Sequence, residues 1–152
     1  MKNQHTATLA GYEIPRLGMG TMALAIEGRP TNRNQAIETI HAALDAGVRY
    51  LDTAWSYYLP SKPGTGEPED MGYGEYLVRD ALNSWHGPKD EVLVATKTGW
   101  LRTLDNHGNY SWQADARPET MIANAKESAR RLGVETVSYT HLRAHETRRH
   151  LV

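Results

Sequence analysis

The chain has 152 residues, enough for one domain of ordinary size and too few for two. With 39% hydrophobic and 23% charged residues and a formal net charge of -1, its composition excludes a disordered tail or fibrous repeat. Seventeen basic against 18 acidic residues give no footprint for nucleic acid or anionic lipid, and the absence of cysteine excludes a disulfide framework, a zinc ribbon or a thiol nucleophile.

Residues 9–21 alternate short apolar groups with Gly11, Pro15, Gly18 and Gly20, predicting a small hairpin that runs into a buried strand over 16–22. Gly28, Pro30 and Asn32 break the chain. Ala36, Ile37, Ile40, Ala43 and Leu44 then recur at helical spacing from Arg33 until Gly47. Residues 48–51 form a short β-type run ending at Asp52, which completes a βαβ unit. The pattern repeats with a helix over 75–82 and a strand over 92–96 ending at Lys97. A third helix follows over 117–132, with Pro118 in its first turn, and Gly133 stops it before a fourth strand expected from Val134. Such alternation implies a parallel sheet with helical crossovers. Both long connections, 58–74 and 98–116, follow the carboxyl ends of strands, as in a barrel with its site on the βα loops. An open sheet binding ligands at its strand ends would share that asymmetry. Gly18-Met19-Gly20 lacks the third glycine before a helix, so a dinucleotide-binding Rossmann fingerprint is not expected.

Asp52, Tyr57 and Lys97 sit at or just beyond strand ends. A tyrosine is a weak acid at neutral pH, but a neighbouring ammonium favours its phenolate, and a carboxylate can hold that ammonium in place. Together they would make a proton donor suited to a carbonyl oxygen as hydride arrives at carbon, or an acceptor when an alcohol is oxidised. Each residue alone also has a purely structural reading: a turn cap, a packed loop tyrosine and a solvated strand-end lysine.

The order of four segments resembles the N-terminal part of an aldo-keto reductase. They are Ile14-Pro15-Arg16-Leu17-Gly18-Met19-Gly20-Thr21, then Gly47-Val48-Arg49-Tyr50-Leu51-Asp52-Thr53-Ala54 with Tyr57 five after the aspartate, then Gly74-Glu75 opening a helix, then 90–97 ending in Lys97. The resemblance covers about residues 9–136. It implies the fold class, α/β and the N-terminal part of a (β/α)8 TIM barrel (a small hairpin plus about three βα units) truncated before closure. It further implies Tyr57 as general acid, Lys97 as the partner that lowers its pKa and Asp52 as the carboxylate paired with Lys97. Gly20 and Thr21 match positions beside the nicotinamide ribose of NADP(H), and Asp52 also faces that region; no metal is implied. The partners it implies are a small-molecule carbonyl or alcohol substrate, and the cytoplasm is the default location. No apolar run reaches the ~20 residues of a membrane span, and residues 1–11 lack a signal peptide's features.

Two departures from the family pattern bear on substrate entry. Members commonly have glycine after the acid tyrosine and reach the Gly-Glu helix start within a few residues, whereas Tyr58 and a Pro- and Gly-rich stretch to Tyr73 stand here. The segment 100–112 is also long and carries Trp100, His107, Tyr110 and Trp112, read either as an aromatic wall around an apolar carbonyl substrate or as side chains holding the loop together.

The resemblance implies a further catalytic histidine at the end of the fourth strand. Counting from Val137 places it at Arg143, with His141 two residues early, and both would share a strand face. Residues 137–147 also resemble, residue for residue, one reading frame of a transposase mosaic end and sequencing adapter, and 150–152 continue that frame after a variable barcode. The chain accordingly divides into 1–136, a partial aldo-keto reductase domain, and 137–152, an adapter-derived tail. That tail explains why three of the seven histidines and three arginines fall in the last fifteen residues. A TIM barrel needs ~250 residues, so this piece is expected to be inactive, loosely packed or aggregating, without tight NADPH binding. Two other functions fit the motifs: a cofactor-binding regulatory protein on the same barrel, similar to channel β subunits, and a barrel aldolase using Lys97 as a Schiff-base lysine.

Overall fold

A computed structural model describes residues 6–9, 11–26, 32–58, 70–134 and 140–142. Strands β1 (Thr6–Leu9) and β2 (Tyr12–Pro15) pair antiparallel. Next comes β3 (Met19–Gly20), shorter than the strand expected over 16–22, because Leu24 and Ala25 donate to the carbonyls of Thr21 and Met22 and wind the chain into a 3-10 turn. Helix α1 (Arg33–Asp45) starts where the Asn32 side chain accepts the Gln35 N–H at 3.2 Å, an N-cap that satisfies one of the free donors of the first turn. Then follow β4 (Tyr50–Asp52), α2 (Tyr73–Ser84), β5 (Leu93–Thr98), β6 (Trp100–Leu104), β7 (Tyr110–Ala114), α3 (Pro118–Leu132) and β8 (Thr140–Leu142).

Strands β3, β4, β5 and β8 form one parallel sheet in that order, each joined to the next through a helix. Strand order therefore follows chain order with no reversal. Right-handed crossovers that always step the same way put their helices on one face, and α1 accordingly packs on α2 and α2 on α3. An open doubly wound sheet would reverse direction at a switch point; the observed winding is that of a barrel wall. Among the described residues the sheet does not close: β3 and β8 each have one unpaired edge.

The core lies between the sheet and the first two helices. Ala36, Ile40 and Leu44, spaced four apart on α1, meet Leu77, Val78 and Ala81 of α2 over Leu51 of β4. Burying each larger side chain contributes about 1.5–3 kcal/mol. Trp85 closes one end, its indole N–H donating to Asp45 Oδ1 at 2.8 Å while the Arg49 guanidinium lies over its ring.

Two expectations are corrected. The segment 98–116 is not an irregular loop: β6 and β7 make an antiparallel hairpin in which Arg102 faces Trp112 across the ladder. Val134 does not open the fourth strand. Its N–H bonds the Ala129 carbonyl at the end of α3 and its side chain is 47% exposed, whereas β8 comprises Thr140–Leu142. Gly28, Pro30, most of the stretch between Tyr58 and Tyr73, and the proposed tail apart from β8 lie outside the described residues. No described helix is long and apolar enough to cross a membrane.

Candidate active site

The three strand-end groups are brought together. The parallel register sets Asp52 of β4 beside Ala95, two residues before Lys97 on β5. Lys97 Nζ donates to Asp52 Oδ1 at 2.6 Å and to the Thr53 carbonyl at 2.9 Å, which fixes the ammonium above the sheet end. From there it lies over the Tyr57 ring, 4.7 Å from the centroid, a distance at which a cation and an aromatic face attract. The Lys97 side chain is 20% exposed and that of Asp52 38%, so the pair is partly screened from water and still reachable.

Backbone hydrogen bonds hold the turn that carries Tyr57. Trp55 N–H donates to the Lys97 carbonyl at 2.9 Å and Tyr57 N–H to the Ala54 carbonyl at 3.2 Å. The Tyr57 carbonyl in turn accepts from the N–H groups of Gly72 and Gly74 at the start of α2, at 3.1 and 3.4 Å. Gly74 permits that approach: a Cβ there would lie 2.8 Å from Thr53 Oγ1 and 2.9 Å from Tyr57 Cβ. The Gly74-Glu75 motif thus seats the helix directly against the tyrosine.

Gly20 and Thr21 end β3 beside Asp52 and divide in role. Gly20 is exposed, with open space where a side chain would project. Thr21 is fully buried, and both its N–H and its hydroxyl donate to the Asp52 carbonyl at 2.9 and 3.0 Å. Its hydroxyl clamps β3 to β4 instead of facing the site, so of this pair Gly20 is the one open to a ligand.

A cavity of about 380 Å³ adjoins the tyrosine, lined by Met22, Ile26, Ser56, Tyr57, Tyr58, Trp100 and Trp112. Of the aromatics singled out in the sequence, Trp100 and Trp112 therefore reach the cavity. His107 does not: it sits exposed in the β6–β7 turn, where its N–H and that of Asn109 donate to Asp105 Oδ1. The Tyr110 side chain lies outside the described residues. His141 pairs in register with Lys97 on the neighbouring strand, and residue 143 lies outside the described residues.

Sequence reasoning missed a buried network behind the site. Glu75 is completely buried; Thr96 donates to its Oε1 at 2.7 Å and Arg131 of α3 to its Oε2 at 3.1 Å. Arg131 also bonds Glu127 and lies over the Trp55 ring, two residues before Tyr57. The available signal was position: Glu75 falls in line with Val78 and Leu82 on the apolar stripe of α2, where a solvated carboxylate does not belong.

An ammonium held by a carboxylate at the ends of adjacent parallel strands is accompanied by a match of residues 16–146 to the family model of the aldo/keto reductase family. The chain belongs to that family. Among curated aldo-keto reductases and their kin it is 35% identical over 103 residues to an aldo-keto reductase of Bacillus subtilis, covering 65% of this chain and 27% of that protein. It is 31% identical over 159 residues to the D-threo-aldose 1-dehydrogenase of a Pseudomonas species, covering 95% and 44%. Among solved structures, a glycerol dehydrogenase of Gluconobacter oxydans superposes with a TM-score of 0.71 at 28% identity, covering 91% of this chain and 38% of that one. The chain thus spans less than half the length of these aldo-keto reductase relatives.

Proposed function

We propose that these residues form the acid–base half of an NADP(H)-dependent reductase that converts an aldehyde or ketone to an alcohol. The observation that carries the reading is the Lys97 ammonium, bonded to Asp52 and set against the Tyr57 ring while Tyr57 lines a cavity. The residues fit the nicotinamide end of the cofactor: Gly20 leaves room beside β3, and the partly exposed Asp52 carboxylate is an acceptor suited to a ribose hydroxyl. NADPH, when bound, supplies the hydride. Tyr57 gives its phenolic proton to the carbonyl oxygen as carbon is reduced, and solvent returns that proton afterwards. Lys97 stabilises the phenolate left behind, and Asp52 holds Lys97 in place; in alcohol oxidation the same groups act in reverse.

The aldolase alternative is disfavoured by the same contacts. A Schiff-base lysine needs its nitrogen free to attack a carbonyl carbon, whereas Lys97 Nζ is engaged by both Asp52 and the Thr53 carbonyl. Turnover also separates reduction from a regulatory role. In a full-length version carrying these residues, Tyr57→Phe is expected to lower kcat by 10²-fold or more with little change in NADPH affinity, the range for loss of a general acid. An unchanged kcat would overturn the assignment, and no NADPH oxidation with any aldehyde would favour the regulatory reading.

A further inference from the structure

We propose that the β6–β7 hairpin makes the cavity an aryl site, selecting aromatic carbonyl compounds over polyhydroxylated ones. The inference rests on the reductase reading only for which bond reacts; the selectivity follows from the cavity wall. Met22, Ile26, Trp100 and Trp112 present mainly apolar surface, and among the described lining residues the hydroxyl groups are those of Ser56, Tyr57 and Tyr58. A sugar placed there would strip water from several hydroxyls and return few hydrogen bonds, whereas an arene loses nothing by leaving water and stacks on the indoles. The D-threo-aldose 1-dehydrogenase and glycerol dehydrogenase relatives are named for polyhydroxylated compounds, so this wall would set the chain apart from them.

The wall is braced as well as apolar. Trp112 on β7 and Tyr58, which follows the acid tyrosine, stand with ring centroids 5.7 Å apart and planes tilted by 54°. Arg102, across the ladder from Trp112, lays its guanidinium over both rings, 5.1 Å from Trp112 and 5.6 Å from Tyr58. One cation thus ties the hairpin to the segment that carries the acid. Rings held before the ligand arrives lose less freedom on binding, which favours a rigid planar ligand. Tyr57 shares the cavity, so an arene against Trp112 would bring an attached carbonyl to the acid's side of the wall.

The test uses the 152-residue chain with its four tryptophans labelled with ¹⁵N, titrated with 2-naphthaldehyde and separately with D-xylose. Saturable shifts of the Trp100 and Trp112 indole signals are expected with naphthaldehyde, at least tenfold tighter than with xylose. Trp85, bonded to Asp45 in the core, should stay in place. Trp112→Ala should weaken naphthaldehyde binding tenfold or more, and Arg102→Met by a smaller factor; an unmoved Trp85 signal reports that each variant has kept its core. Equal binding of xylose, no saturable shift, an affinity unchanged by Trp112→Ala, or all four signals moving together would overturn the proposal. Binding needs neither cofactor nor turnover, so intact naphthaldehyde binding to this chain beside absent NADPH oxidation by a full-length version carrying these residues would sink the reductase reading alone.

Discussion

Glu75 and Arg131 show how a charge can be structural and still belong to a site. The carboxylate is sealed from water, and its two oxygens are shared between the Thr96 hydroxyl and the Arg131 guanidinium. Removing one partner of a buried pair leaves the other uncompensated, which typically costs about 3–5 kcal/mol. Glu75→Ala should therefore lower the urea midpoint sharply, and the double change Glu75→Leu with Arg131→Met should recover much of the loss. An equal or larger loss in the double variant would mean that packing, not charge, dominates there. That Asp52, Tyr57 and Lys97 come together was legible as a placement at or just beyond strand ends, while the roles expected of them came from the family resemblance. Glu75 and Arg131 were not, since they meet across 56 residues and their pairing depends on how α3 seats on α2. Thr21 was legible as a position but not as a role, because only the register of β3 on β4 shows its hydroxyl turned inward.

Among the elements, α3 is the one whose packing departs most from simple amphipathic burial. Its buried face presents Asn124, Ser128 and Arg131, with the Asn124 amide donating to Thr98 Oγ1 at 2.7 Å, while Ile122 is exposed. Pro118 and Gly133 thus marked the ends of the helix in the sequence but not what holds it. Its start is anchored by Asp115, whose carboxylate accepts from the Arg117 side chain, the Arg117 N–H and the Thr120 hydroxyl. Those bonds, the Arg117 side chain first, hold its pKa well below the usual carboxylate range. A carboxylate whose folded pKa is depressed contributes stability in full above its unfolded value and loses it as pH falls through the folded one. Thermal stability should accordingly decline below about pH 4, and Asp115→Asn should flatten part of that decline; an acid limb of unchanged slope would refute the contribution. At the other end Gly133 has a φ of +75°, and a Cβ there would meet only the Arg79 side chain at an ordinary 3.6 Å. Gly133→Ala should thus cost about 1–2 kcal/mol from backbone conformation alone, read as a lower urea midpoint with no change in slope. The hairpin of β6 and β7 was illegible for a related reason: Trp100 to Thr103 are all half-buried, with no alternation for a period-two pattern to reveal.

On the scale of the whole molecule, the alternation of strand and helix announced the parallel sheet, and the observed strand order decided in favour of a barrel wall. What the sequence pattern could not supply is which surfaces remain unpaired. Among the described residues, β3 and β8 are the edges of a four-stranded sheet, and unpaired edges are templates for pairing with another chain. The 152-residue chain is expected to self-associate with rising concentration in sedimentation velocity. Amide exchange should be slowest in β4 and β5 and around the α1–α2 core; a monomer at all concentrations would contradict the edge argument.

The neck beneath Tyr57 has a consequence for how this scaffold can diversify. Tyr58 bridges to Met71, and the Tyr57 carbonyl receives the Gly72 and Gly74 amides, so the chain leaves and re-enters at one clasped point. That clasp fixes the tyrosine through backbone contacts of residues 57, 58, 71, 72 and 74 alone. Doubling the length of a span joined at such a clasp costs only about 0.6 kcal/mol in closure entropy. Insertions and deletions can therefore accumulate at that point over evolutionary time while Tyr57 stays registered against α2.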